Sequence, residues 1–174
     1  MDAVAIPTRR GFLKLAVVGG VTWMTAMTTG LRPSWAGGHA EALLLSCMDY
    51  RLIDDIERYM SGRGLRDNYD HVILAGASLG ALVSSKPTWG QTFWEHLDVA
   101  SSLHAIKKVI LMDHRDCGAY KVFLGEDFSM DRARETVAHA EQLKKLAVLI
   151  KDKHPNLETE TLLMSLDGKV EVIN

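Results

Sequence analysis

Short unbroken apolar runs alternate with segments of helical periodicity, and this alternation restricts the fold more than any other feature of the chain. Residues 42–46, 71–75 and 109–112 are continuous rather than alternating, the pattern of strands covered on both faces. Between them, 52–64 carries Ile53, Ile56 and Met60 at helical spacing and stops at Gly62 and Gly64. Residues 92–106 place Phe93, Leu97, Ala100 and Leu103 on one side of a second helix. A long amphipathic helix is expected over 130–153, with Val137, Ala140, Leu143, Ala147 and Ile150 as its apolar stripe and Pro155 as its stop. A fourth strand, an Asp167-Gly168 turn and a short fifth strand follow. Strand alternating with helix predicts an α/β fold, a central mostly parallel sheet flanked by helices on both faces. Neither an internal repeat nor a second folded domain interrupts the pattern.

In open parallel sheets, sites form at the carboxyl ends of strands. Two such ends carry reactive side chains here. "SCMDYRL" (46–52) follows the first run and holds Cys47, Asp49 and Arg51 at alternate positions, which in an extended segment point to one face. "DHRDCG" (113–118) follows the third and holds His114 and Cys117 three apart, a spacing that lets both reach one ion. With the first and third strands as neighbours, the two clusters face each other. Cys47, His114 and Cys117 then make a Cys₂His donor set whose fourth position is open to water or to Asp49, the ligand count of a catalytic zinc. Soft sulfur with imidazole selects zinc over magnesium or calcium.

The same residues have plainer readings. An isolated buried cysteine is ordinarily a small hydrophobe. His114 and Cys117 alone also match a thiol nucleophile and its base. Two cysteines are too few for a disulfide framework, though enough for one bridge. "HRD" repeats a piece of the protein-kinase catalytic loop without the Gly-rich loop or DFG that should accompany it. "GASLGA" lacks the lysine and acidic partner of a nucleotide-binding loop and reads as a tight strand-to-helix turn. His71, His96, His104, His139 and His154 lack partner spacing and are expected at the surface or half-buried. The formal net charge of -2 gives no reason to expect nucleic acid as a partner.

The first 36 residues are not expected to belong to the fold. "TRRGFLKLAVVGG" pairs Arg9 and Arg10 ahead of Phe12, Leu13 and Lys14, and resembles a twin-arginine export signal. Ser34 and Ala36 supply the small residues that a signal peptidase needs. A general secretory signal or an uncleaved anchor are the alternatives, and the short, Thr- and Gly-rich apolar stretch weakens the anchor. The expected division is a signal over 1–36 and one domain over 37–174, exported to the periplasm.

Together, Cys-x-Asp-x-Arg and the later His-x-x-Cys-Gly resemble the β-class carbonic anhydrases, on Cys47, Asp49, Arg51, His114, Cys117 and Gly118. The resemblance spans the mature chain by element order. It implies zinc held by Cys47, His114 and Cys117, reversible hydration of carbon dioxide to bicarbonate through hydroxide generated on the metal, and a homodimer or higher assembly. Asp49 would orient the hydroxide and Arg51 would hold Asp49 off the metal. The chain departs from the family in two places. Leu74-Ala75-Gly76-Ala77-Ser78 stands where the family usually has Arg-Asn-Ala-Gly, and the N-terminal arm is missing once the signal is removed. Gln91 is available for the family's glutamine near zinc. Carbonyl sulfide or carbon disulfide hydrolysis on the same scaffold, and a catalytically silent zinc-binding protein, are the alternatives.

Overall fold

The computed structural model describes residues 38–128 and 130–174. The expected signal over 1–36 lies outside them. Five strands form one sheet: β1 (Ala42–Cys47), β2 (Tyr69–Leu74), β3 (Lys108–His114), β4 (Glu158–Met164) and β5 (Val170–Val172). Their order is β2-β1-β3-β4-β5, with β5 antiparallel to β4 and every other pairing parallel. The helices are α1 (Ile53–Gly62), α2 (Ser78–Leu82), α3 (Pro87–Leu103), α4 (Gly118–Leu124) and α5 (Arg132–Lys153), with a 3₁₀ turn at Tyr50–Leu52. This is the α/β architecture that the alternating pattern predicts.

Strand alternation divides the core in two. Leu43, Leu45, Val109, Leu111 and Leu163 face Phe93, Leu97 and Ala100 of α3 and Leu143, Leu146 and Ile150 of α5. Leu44, Ile110, Met112, Leu162 and Met164 face the other way, onto Leu52, Ile56 and Met60. Each fully buried Leu or Ile contributes roughly 1.5–3 kcal/mol, so the sheet's central strands are its firmest part.

Three expectations shift. The run at 71–75 is not covered on both faces: β2 is an edge strand, Val72 alone among its residues is buried, and Ile73 is 53% exposed. Ile53 and Leu103 point to solvent, because each lies at a helix end beyond the reach of the sheet. The buried stripe of α5 is Glu135, His139, Leu143, Leu146 and Ile150, and Val137 is exposed. The helix turns two polar side chains inward where it passes the end of the sheet.

"GASLGA" is the strand-to-helix turn expected. Gly76 adopts φ +80°, which glycine alone takes without strain, and a Cβ on Gly80 would sit 2.4 Å from the Ala75 carbonyl oxygen. Among the described residues no helix is long and apolar enough to cross a membrane.

Candidate metal centre

Parallel pairing of β1 with β3, in the register Ser46↔Met112, brings the carboxyl ends of both strands to one edge of the sheet. Cys47 is the last residue of β1, His114 the last of β3, and Cys117 immediately precedes α4. Their donor atoms lie within 4.8 Å of one another. Both cysteines are free, with their sulfurs 3.9 Å apart. Two thiolates at about 2.3 Å from a tetrahedral zinc stand about 3.8 Å from each other, so the spacing fits one shared ion.

The histidine fits as well. His114 Nδ1–H donates to the Arg115 carbonyl at 2.8 Å, which leaves the lone pair on Nε2. That Nε2 is buried and has no hydrogen-bond partner. Leaving a buried polar atom unsatisfied costs about 1–3 kcal/mol, so the ring is set up for a ligand it does not find among protein atoms.

The two sulfurs are coupled to each other through their 3.9 Å contact. Cys47 is pushed well below an ordinary thiol, chiefly by the hydrogen bond from Cys117, with His114 and the Gly76 N–H adding to it against the effect of burial. Cys117 moves up as the donor of that bond and through its burial. Burial pulls His114 down most strongly, yet the Cys47 sulfur, the Arg115 carbonyl and the Asp49 carboxylate together outweigh it and the net shift is upward.

Asp49 and Arg51 come together, but not along an extended strand. β1 ends at Cys47, Asp49 caps the 3₁₀ turn, and the turn folds Arg51 back onto it. Arg51 Nε donates to Asp49 Oδ1 at 2.9 Å and Nη2 donates to Oδ2 at 2.7 Å, a bidentate pair. The Arg51 backbone N–H adds a third bond at 3.0 Å. These bonds hold Asp49 at about 2, well below an ordinary carboxylate. Asp49 Oδ2 lies 3.7 Å from His114 Nε2, beside the point where the three donors converge.

Residues on either side of His114 fasten the loop, although neither belongs to the Cys-x-Asp-x-Arg and His-x-x-Cys motifs. Asp113 is buried and accepts from the Ser78 N–H at 3.0 Å, Ser78 Oγ at 2.7 Å, His139 Nδ1 at 3.0 Å and the Tyr120 hydroxyl. His139 is therefore a fully buried partner rather than a surface or half-buried residue, its ring tilted 41° against that of Tyr120 with centroids 3.8 Å apart. Arg115 is also buried and donates to Glu135, Thr136 and Glu171. "HRD" thus carries structure although its kinase likeness is empty. The available signal was a dense run of charge, D-H-R-D, directly after an apolar strand. Gln91 is not part of this group: it is exposed on α3 and donates to Glu95.

Residues 38–174 match the family described as "Putative carbonic anhydrase". The chain belongs to this family. Two of its relatives are uncharacterized proteins, one from Rickettsia conorii and one from Rickettsia bellii. Each is 47% identical over 135 residues, covering 77% of this chain and 72% and 82% of their own lengths. Solved structures share the fold of this carbonic anhydrase family member at low identity. The carbonic anhydrase of Streptococcus mutans aligns with TM-score 0.55 and 14% identity over 95% of this chain and 92% of that one. β-Carbonic anhydrase isoform I of Trichomonas vaginalis gives 0.53 and 17% over 94% and 92%. Two tetrameric β-carbonic anhydrases are known from Sordaria macrospora, and the alignment there gives 0.54 and 14% over 79% and 82%.

Proposed function

We propose that the protein is a zinc-dependent carbonic anhydrase that converts carbon dioxide and water to bicarbonate and a proton. The observation that carries the reading is the unsatisfied His114 Nε2, aimed at two free sulfurs 3.9 Å apart, beside a carboxylate that an arginine holds by both oxygens. Cys47, His114 and Cys117 would hold the ion. Zinc supplies a Lewis acid that makes hydroxide available near neutral pH.

The chain's own residues do the rest. Two thiolates offset the charge of Zn²⁺ and keep the buried site near neutral. Asp49 Oδ2, 3.7 Å from His114 Nε2, would accept and orient a proton beside the three donors. Arg51 keeps that carboxylate from becoming a fourth ligand. The backbone N–H of Gly76, 3.3 Å from Cys47 Sγ, steadies the thiolate. Asp113 ties the ligand loop to Ser78, Tyr120 and His139, and Arg115 ties it to Glu135, Thr136 and Glu171.

Carbon dioxide hydration followed by stopped flow on zinc-loaded protein tests the reading, with carbonyl sulfide and carbon disulfide assayed in parallel. Turnover of a sulfur gas alone would reassign the substrate, and full zinc with no turnover of any gas would make the protein a silent zinc binder. We also propose a homodimer or higher homo-oligomer, supported by the tetrameric Sordaria proteins. Twin-arginine export to the periplasm rests on Arg9, Arg10 and the residues after them. Thiols carrying zinc before a folded export step are protected from disulfide formation in an oxidising compartment.

A further inference from the structure

Glu135 is only 1% exposed, an unusual place for a carboxylate in the first turn of α5. Its two oxygens have separate duties. Oε1 accepts the Asp116 backbone N–H at 2.6 Å. Oε2 accepts from Arg115 Nη1 at 3.0 Å and from Arg132 Nη1 at 3.1 Å. Burial pushes this carboxyl up, but the three donors outweigh it and leave the group below the usual carboxylate range.

Asp116 is the residue that the Oε1 contact controls. It sits between the His114-Arg115 pair and Cys117 with φ +56°, in the left-handed region that side-chain-bearing residues seldom adopt. In that conformation its carbonyl accepts Arg51 Nη2 at 3.2 Å, and the same Nη2 donates to Asp49 Oδ2 at 2.7 Å. One path of hydrogen bonds therefore runs from α5 through Glu135, Asp116 and Arg51 to Asp49.

We infer that Glu135 is a positioning residue for the metal centre: by holding Asp116 in its left-handed conformation, it keeps Arg51 on Asp49 and Asp49 off the metal. The inference rests on the zinc site proposed above. It requires a group with two acceptors. Glutamine has one carbonyl oxygen, so in Glu135→Gln an NH₂ must face either the Asp116 N–H or the two arginines, donor against donor. Arg115 keeps both Glu171 oxygens at 3.0 Å, which gives the variant a means to stay folded. A purely structural Glu135 would tie α5 to the loop without any bearing on Asp49.

The test uses full-length protein loaded with cobalt(II), whose visible spectrum responds to pH when solvent holds the fourth position and not when a carboxylate does. The native protein is expected to show a pH-dependent spectrum and Glu135→Gln a pH-independent one. Asp49→Ala combined with Glu135→Gln should recover the spectrum of Asp49→Ala alone, because the closing carboxylate is gone. Carbon dioxide hydration by Glu135→Gln should fall at least about tenfold in kcat with KM little changed. A second pair of variants covers the event that Glu135→Gln does not fold. Asp116→Gly and Asp116→Val both lose the Asp116–Arg132 ion pair, but only valine refuses φ +56°. Valine should abolish the pH response and glycine should retain far more of it. An unchanged cobalt spectrum in Glu135→Gln, or identical spectra for the two Asp116 variants, overturns the positioning role. Native protein that hydrates no carbon dioxide, yet shows the Glu135→Gln spectral change, keeps the positioning role and overturns only the proposed function.

Discussion

Cys47 Sγ and Cys117 Sγ stand 3.9 Å apart although seventy residues separate them in sequence. Both thiols are free, and their spacing fits two thiolates that share one ion. The predicted zinc content is about one per chain. Cys47→Ser, His114→Ala and Cys117→Ser should each lose zinc and much of the protein's stability, because metal binding is coupled to folding. Elemental analysis with thermal melts decides it, and a stable Cys117→Ser protein with full zinc would sink the ligand assignment.

The bidentate Arg51–Asp49 pair predicts non-additive losses. Arg51→Ala should keep zinc and lose nearly all turnover, since the freed carboxylate closes onto the metal. Asp49→Ala should keep zinc and lose activity because its acceptor is gone. The double variant should be no worse than Asp49→Ala, as expected for residues acting as a unit. Lysine lacks the planar fork and should not replace Arg51. Kinetics that simply multiply the two single losses would refute the unit.

Acid should leave the same pair intact to unusually low pH. The folded value of Asp49 is about 2 against 3.8 unperturbed, a depressed carboxylate. Its contribution to stability is therefore complete above the unfolded value and disappears as pH falls from there toward about 2. The carboxyl carbon of Asp49, followed by NMR in metal-free protein, should titrate near that value. A midpoint at or above 3.8 contradicts the arrangement.

Removing Asp113 strands the donors of Ser78, Tyr120 and His139 in the interior. Asp113→Ala is predicted to lose about 3–5 kcal/mol in urea denaturation of the zinc-loaded protein. A loss under about 1 kcal/mol would mean that water replaces the carboxylate without difficulty.

For the amino terminus, residues 1–40 fused to a reporter that folds in the cytoplasm should direct its export. Arg9→Lys with Arg10→Lys should stop it. Continued export by the double-lysine signal would replace the twin-arginine assignment with a general secretory one.

The sequence by itself determined the strand order along the chain, the three longer helices between the strands and the three residues that converge. Continuous apolar runs such as Leu43-Leu44-Leu45 have no stable place except a sheet covered on both faces, and a parallel sheet puts the residues after its strands at one edge. Periodicity counts apolar positions only, so it assigned Val137 to the core of α5 and missed Glu135 and His139. Those two are buried because partners distant in sequence satisfy them, Arg115 and the Asp116 N–H for one and Asp113 for the other. The edge position of β2 depends likewise on which strand pairs with which, and nothing within 71–75 states it. Even the Asp49–Arg51 contact, expected from alternation along a strand, forms because a 3₁₀ turn folds the arginine back and the Asp116 carbonyl receives it. Local pattern decides what must be covered, whereas only the assembled fold decides which polar groups find partners and can be buried with it.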